Sequence, residues 1–418
     1  MRDETRNSVW LHTGCIVDRR EFGKEAIAGL AGLAAGLAAT PSQGENAEKT
    51  LPGWRRKKQG ETYYRPLGST GLWLSELALG GSPSPPPNVF LAALDRGVNY
   101  CDTSPRYSRG KGEEDIGRIL RGRREQIYIG TKFTPTRDGV MNTDDILQQV
   151  EASLKRLATD RIDILCVHGA RGEEEVLSDW VFAAIERLRS SGKARFFGVS
   201  VHNTSFEFNR RLIECGKYQV LLIPLNMYFE QESAPERTAK GSDTLASILH
   251  LAAEKGVGII AMKTLAAGGL AKVAAPEGIS PAQAKLRWVL QRPEVTSILN
   301  EMVTFEYLKE DLAASAADLS PREAAWLRAC VREGSDSFCR MCRTCEAHCC
   351  AGIPIPDLLR ARMYAVDYDD RNRAMVLARQ IGAASFLAAC RKCGTCETVC
   401  PWGVRTTLLL SELKKVMG

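Results

Sequence analysis

Residues 99–133 read NYCDTSPRYSRGKGEEDIGRILRGRREQIYIGTKF, and this stretch decides the fold. Asn99 to Thr103 and Gln126 to Phe133 are short runs with the composition of strands. Between them, Glu114 to Leu120 carries helical periodicity, so the stretch is a strand, a helix and a strand. Such a unit places its two strands parallel in one sheet.

The alternation continues in both directions. Further strands are expected at Leu77 to Gly81, Ile162 to Val167, Arg195 to Val201, Gln219 to Asn226, Val257 to Thr264 and Val295 to Leu299. Helical patterns separate them at Val89 to Arg96, Asp144 to Leu157, Glu175 to Arg189, Phe206 to Cys215, Leu245 to Glu254, Pro281 to Leu290 and Phe305 to Ala314, punctuated by Gly97, Gly192, Gly216 and Gly256. Eight parallel units over about 250 residues is the size of a (β/α)8 TIM barrel, which we place at residues 61–325. A doubly wound open sheet is disfavoured, because no Gly-x-Gly-x-x-Gly turn follows the first strand.

The full 418 residues exceed one barrel, leaving room for an appended domain. With 44% hydrophobic and 25% charged residues, the composition is that of a soluble globular protein and excludes a disordered chain or a polytopic membrane protein. The net charge of +6 is mild and the Lys and Arg are dispersed, so no nucleic-acid partner is expected.

Ahead of the barrel, Asp18-Arg19-Arg20-Glu21-Phe22-Gly23-Lys24 precedes a weakly apolar Ala/Gly/Leu run from Ala26 to Ala39. Paired arginines, a Phe two residues on and an apolar run too short to span a bilayer resemble a twin-arginine export signal at residues 1–40. The expectation is a periplasmic or exported protein without a stable membrane span, or a cytoplasmic one if the arginine pair is incidental. Residues 41–60 are polar and read as a linker.

Chemistry in a TIM barrel sits after the C-terminal ends of the strands. Asp102 and Tyr107 follow the second strand, Lys132 closes the third and His168 closes the fourth. A tyrosine can serve as general acid if its pKa falls toward the working pH, and a nearby lysine would favour the phenolate, with Asp102 holding that lysine. Singly, each residue has a structural reading: a turn cap, a packing tyrosine, a satisfied polar histidine. Four together at the ends of three successive strands make the catalytic reading the stronger one.

Several stretches resemble the aldo/keto reductase superfamily: Arg65-Pro66-Leu67-Gly68-Ser69-Thr70-Gly71-Leu72 its opening hairpin, Asp102-Thr103-Ser104-Pro105-Arg106-Tyr107 its Asp and Tyr motif, Gly130-Thr131-Lys132 and Cys166-Val167-His168 its Lys and His strands. The resemblance spans about three-fifths of the chain. It implies that Tyr107 protonates a carbonyl oxygen, that Lys132 and Asp102 tune it, that His168 orients the carbonyl, and that a nicotinamide delivers hydride. It further implies that Ser200 and Asn226 contact the carboxamide, although Val201 and His202 stand where an Asn is usual and Met262 replaces the stacking aromatic. Lys263 could meet the pyrophosphate or be a solvated lysine. Glu301 and Glu306 would repel a 2′-phosphate and Asp311 replaces an adenine-contacting Asn, so NAD is as plausible as NADP.

Fourteen cysteines are present, and eight form two arrays, Cys339, Cys342, Cys345, Cys349 and Cys390, Cys393, Cys396, Cys400, the second followed by Pro401. The repeated Cys-x-x-Cys-x-x-Cys-x-x-x-Cys spacing is that of ferredoxin-type 4Fe-4S clusters, in which the fourth cysteine serves the other cluster. Cys339, Cys342, Cys345 and Cys400 would hold one cluster, and Cys390, Cys393, Cys396 and Cys349 the second. Cys350 stands where a Pro is usual and competes with Cys349, so a single cluster remains open. Two four-thiolate zinc sites are the alternative that the third cysteine of each run argues against. We expect a helical ferredoxin-type domain at residues 330–418, with helical periodicity from Asp357 to Leu387.

The combined expectation is an oxidoreductase acting on a small carbonyl or alcohol, with an iron-sulfur electron-transfer module and a redox protein partner. The competing reading is an exported iron-sulfur electron-transfer or interaction protein on a barrel without dehydrogenase turnover. Hydride moves two electrons and a cluster one, so the coupling between them is not given by any motif.

Overall fold

The structure, a computed structural model, describes residues 56–81, 84–134, 142–170, 172–201, 205–229, 244–266 and 273–418. The expected export signal, most of the linker, and His202 lie outside them.

Three short antiparallel strands come first, β1 (Lys57–Gln59), β2 (Thr62–Pro66) and β3 (Trp73–Ser75). Strand pairing therefore begins inside the stretch read as linker, where Arg56 also pairs with Glu76. Eight strands follow: β4 (Leu77–Gly80), β5 (Tyr100–Asp102), β6 (Tyr128–Phe133), β7 (Ile162–Ala170), β8 (Ala194–Val201), β9 (Val220–Pro224), β10 (Gly258–Met262) and β11 (Val295–Asn300). They close into a barrel of order β10-β11-β4-β5-β6-β7-β8-β9, every neighbouring pair parallel. The TIM-barrel expectation is borne out, strand by strand.

Helices α1 (Pro87–Asp95), α2 (Lys111–Ile119), α3 (Thr143–Leu157), α4 (Asp179–Ser190), α5 (Phe206–Glu214), α6 (Leu245–Glu254), α7 (Pro281–Leu290) and α8 (Phe305–Ala314) alternate with the strands. Their starts are set by side chains that accept orphan backbone N–H groups, such as Asn142 at α3 and Thr304 at α8. Inside the barrel, Ala78, Tyr100, Ile164, Cys166, Val220, Leu222 and Ile260 pack with Leu67, Leu72 and Leu74 from the opening hairpin. Gly258 faces Leu67 so closely that a Cβ there would lie 2.4 Å from its Cδ1. Buried Arg65 fixes the hairpin by donating to the carbonyls of Leu290, Arg292 and Val295 and to Glu76. The hairpin thus plugs the N-terminal end of the barrel and leaves the C-terminal end for chemistry.

Beyond the barrel runs α9 (Pro321–Gly334), which crosses the boundary placed between 325 and 330. Trp326, Leu327 and Cys330, with Phe338 beyond, join the barrel's own hydrophobic core. The remaining helices are α10 (Thr344–Ala347), α11 (Ile355–Arg362), α12 (Arg371–Ile381), α13 (Ala383–Ala389), α14 (Thr395–Thr398) and α15 (Thr406–Met417), with a π-helical turn at Met363–Asp367. Ile353, Leu358, Leu359, Ala378, Leu409 and Leu413 form their separate core. This helical region docks on the barrel through Arg340, which donates to the Tyr228 carbonyl at 3.0 and 3.1 Å, and through Phe338, which stacks on the Tyr228 ring at 4.8 Å. No helix among the described residues is long and apolar enough to cross a membrane.

Candidate active site

Asp102 ends β5 and Lys132 lies one residue from the end of β6, and the parallel register sets Asp102 beside Gly130. Gly130 is required there, since a Cβ would sit 2.3 Å from the Tyr100 hydroxyl and 3.0 Å from Asp102 Oδ2. Lys132 Nζ donates to the Asp102 carboxylate and, at 2.7 Å, to the Thr103 carbonyl, and both side chains of the pair are buried. The ammonium lies 5.2 Å from the Tyr107 ring centroid. Tyr107 opens a short 3-10 turn in which Ser108 and Arg109 both hold positive φ, at 48° and 56°. Two consecutive left-handed non-glycine residues are a local strain that positions the tyrosine.

His168 approaches from β7, edge-on to Tyr107 with ring centroids 5.7 Å apart. A register shift between His168 and Ala170, with Gly169 at φ 65°, turns the strand here. Ser104 Oγ lies 2.9 Å from His168 Nδ1 and holds the ring from one side. Burial, and then the charges of Lys132, Arg106, Arg360 and Lys263, hold His168 well below the usual imidazole value, so it is neutral at physiological pH.

Burial raises the Tyr107 phenol, and Lys132 only partly offsets it, so the hydroxyl stays protonated. This corrects the expectation of a lysine-lowered phenol. Burial opposes the charge on Lys132, yet Asp102 and Tyr107 outweigh it and raise its pKa, so the ammonium persists beneath the tyrosine.

The expected cofactor residues lie on the neighbouring strands. Ser200 is buried near the end of β8, in register with His168. Asn226, after β9, is fully buried; its Nδ2 donates to the Lys263 carbonyl at 3.1 Å and its Oδ1 accepts the Tyr228 N–H at 3.1 Å. Lys263 follows β10 with φ 57°, and burial weakens its hold on its proton. Two buried hydroxyls just past strand ends, Thr103 Oγ1 and Thr264 Oγ1, have no hydrogen-bond partner among the described residues, which suits a bound polar group at this end of the barrel. Glu301 is ion-paired with Arg373 of α12 at 3.7 Å, so its repulsion of a phosphate is partly cancelled. Asp311 is pushed up to about 7 by burial while accepting from Asn300 Nδ2 at 2.6 Å.

The cysteines fall into two groups. Cys339, Cys342, Cys345 and Cys400 line one hollow, and Cys349, Cys350, Cys390, Cys393 and Cys396 line another. None of them is in a disulfide. Among the described residues, no three His, Cys, Asp or Glu side chains converge on a position that would hold a single metal ion.

Sequence reasoning missed four contributors. Tyr100, whose hydroxyl lies 3.4 Å from Asp102, and Ser104 were visible within the quoted motif but carried no assigned role. Tyr364 and Arg373 come from the helical region, Arg373 lying 4.2 Å above the Tyr364 ring, and both act electrostatically on Tyr107. Nothing local in the sequence connects them to a tyrosine more than two hundred residues earlier.

Comparison with known proteins gives consistent matches. A sequence profile described as the aldo/keto reductase family matches residues 87–274. An uncharacterized oxidoreductase of Bacillus subtilis, YqkF, is 34% identical over 148 residues, 32% of this chain and 48% of that protein, so the chain spans about half of its length. The aldo-keto reductase AFTS1 of Alternaria alternata is 26% identical over 357 residues, covering 66% of this chain and 94% of its own. A Klebsiella pneumoniae aldo-keto reductase solved in complex with NADPH shares the fold at a TM-score of 0.50 and 22% identity, covering 62% of this chain and 92% of that one.

Proposed function

We propose that this chain, which is similar to the aldo/keto reductase family over residues 87–274, is an oxidoreductase of that type and interconverts a small carbonyl compound and its alcohol at Tyr107. The observation that carries the reading is the buried Lys132–Asp102 pair set beneath Tyr107, with neutral His168 edge-on beside it. In reduction the protonated Tyr107 hydroxyl gives its proton to the carbonyl oxygen, and the Lys132 ammonium stabilises the phenolate left behind. His168, held by Ser104, would hydrogen-bond the same oxygen. A nicotinamide, when bound, supplies the hydride; Ser200, Asn226 and Lys263 would hold it. NADP is supported by the NADPH-bound Klebsiella neighbour, and NAD fits as well where Glu301 and Glu306 stand.

We further propose that the helical region is a ferredoxin-type module with two 4Fe-4S clusters. The four thiols Cys339, Cys342, Cys345 and Cys400 wall one hollow, and Cys390, Cys393 and Cys396 with Cys349 wall the other, Cys350 beside it. Clusters, when bound, supply one-electron capacity, which implies a redox protein partner. A twin-arginine signal at residues 1–40 suits such a chain, since that route accepts proteins folded with their cofactors.

The test is NADPH- and NADH-dependent reduction of a panel of small aldehydes, under argon. Tyr107→Phe, loaded with the same iron as wild type, should lose about 10²–10⁴-fold in kcat; an unchanged rate refutes the proton-donor role. A second reading, electron transfer on a barrel without dehydrogenase turnover, is favoured by the Asn226 amide being engaged with backbone and by Arg373 reaching Glu301. Iron-loaded protein with no saturable nicotinamide binding would select it.

A further inference from the structure

The hollow ringed by Cys339, Cys342, Cys345 and Cys400 also contains two orphaned donors. Trp402 Nε1 and Arg343 Nε are buried and have no hydrogen-bond partner among the described residues, and both side chains line this hollow. An unpaired buried N–H is costly, so two in one small cavity call for an acceptor. Neither can readily turn away. Arg343 is anchored at its far end, with Nη1 donating to Glu346 at 2.5 Å and Nη2 to Asp357 at 3.0 Å, which leaves Nε free. The Trp402 ring is covered by the Arg340 guanidinium at 4.5 Å, and Arg340 is itself fixed by the carbonyls of Tyr228, Ser335 and Phe338. The backbone N–H groups of Met341 and Val404 add contacts of 3.4 Å to Cys339 and Cys400.

The second hollow differs. Its lining holds no orphaned buried side-chain donor among the described residues, and Cys350 and Cys393 are exposed.

We propose that Trp402 and Arg343 donate hydrogen bonds to the sulfur of a cluster held by Cys339, Cys342, Cys345 and Cys400, and keep its reduction potential above that of the cluster in the second hollow. This rests on the cluster reading given above. Reduction adds one negative charge to the cluster, and N–H dipoles aimed at its sulfur stabilise the reduced state more than the oxidised one. Electrons entering from an external carrier then settle at the site nearer the barrel. Cys339 also lines a small cavity shared with Asn226 and Lys263, so that site faces the residues expected to hold the nicotinamide.

The experiment is an anaerobic potentiometric titration of the full chain, followed by electron paramagnetic resonance. Wild type should show two one-electron transitions. In Trp402→Phe the upper transition should move down, with the reduced-to-oxidised ratio at fixed potential falling about tenfold, equivalent to about 59 mV, while the lower transition and the iron content stay unchanged. Arg343→Lys, which keeps the charge but moves the donor, should shift the same transition in the same direction, and it carries the test alone if Trp402→Phe loads less iron. An upper transition unmoved in an iron-loaded variant, or a shift confined to the lower one, overturns the proposal and leaves the cluster reading standing. A wild-type chain that takes up no iron overturns both.

Discussion

Lys132 sits where three demands meet: it neutralises Asp102, it lies under Tyr107, and it is almost wholly withdrawn from water. Removing its charge leaves Asp102 buried without a counter-ion. Lys132→Met is therefore expected to destabilise the fold by about 3–5 kcal/mol in chemical denaturation, and an effect below about 1 kcal/mol would mean the pair is not buried as described. His168 makes a pH-dependent contribution of known sign. Its folded pKa lies well below the usual 6.5 because of burial and then Lys132, Arg106, Arg360 and Lys263. As pH falls through 6.5 the unfolded chain binds the proton first, so stability present above that value is lost on acidification toward the lower folded pKa. On going from about pH 7.5 to about pH 5.5, wild type should lose more thermal stability than His168→Gln; equal losses would remove His168 as the source. That Asp102, Tyr107, Lys132 and His168 come together at one end of the barrel was readable because each terminates or follows a strand. The direction of the Tyr107 shift was not, because sequence shows the neighbouring charge and hides the degree of burial that outweighs it.

At the scale of elements, the strands were legible because each is a short apolar run between glycines, prolines or polar turns, and the helices because their apolar positions recur at helical spacing. What sequence did not decide was which body an element packs on. The apolar face of α9 contains Trp326, Leu327 and Cys330, and only the fold shows that it completes the barrel core and does not begin the cysteine module. The opening hairpin is a similar case: its motif was recognised, yet its role as a plug depends on Leu67 meeting Gly258 from the far side of the barrel. Leu67 is fully buried there. Leu67→Ala should cost about 2–5 kcal/mol of stability while leaving the affinity for NADPH unchanged, measured by denaturation and by fluorescence titration. A large loss of NADPH affinity without loss of stability would contradict a purely structural hairpin.

At the scale of the molecule, the helical region is fastened to the functional end of the barrel, by Arg340 to Tyr228 and by Arg373 to Glu301. The spacing of the cysteines in sequence sets an expectation of two groups; that Cys339 borders Asn226 and Lys263 could not be read without the fold, since the contact joins segments more than seventy residues apart. The export expectation falls on residues outside the described region, and is tested by fusing residues 1–40 to a folded reporter. Replacement of Arg19 and Arg20 by Lys should abolish its appearance outside the cytoplasm, and persistent export would remove the twin-arginine reading.

The most direct test of the account as a whole is the iron and acid-labile sulfide content of the full chain purified without oxygen. About eight irons and eight sulfides per chain are expected for two 4Fe-4S clusters. Two zinc ions per chain and no sulfide would contradict it, and would leave a (β/α)8 barrel with a zinc-stapled helical appendage.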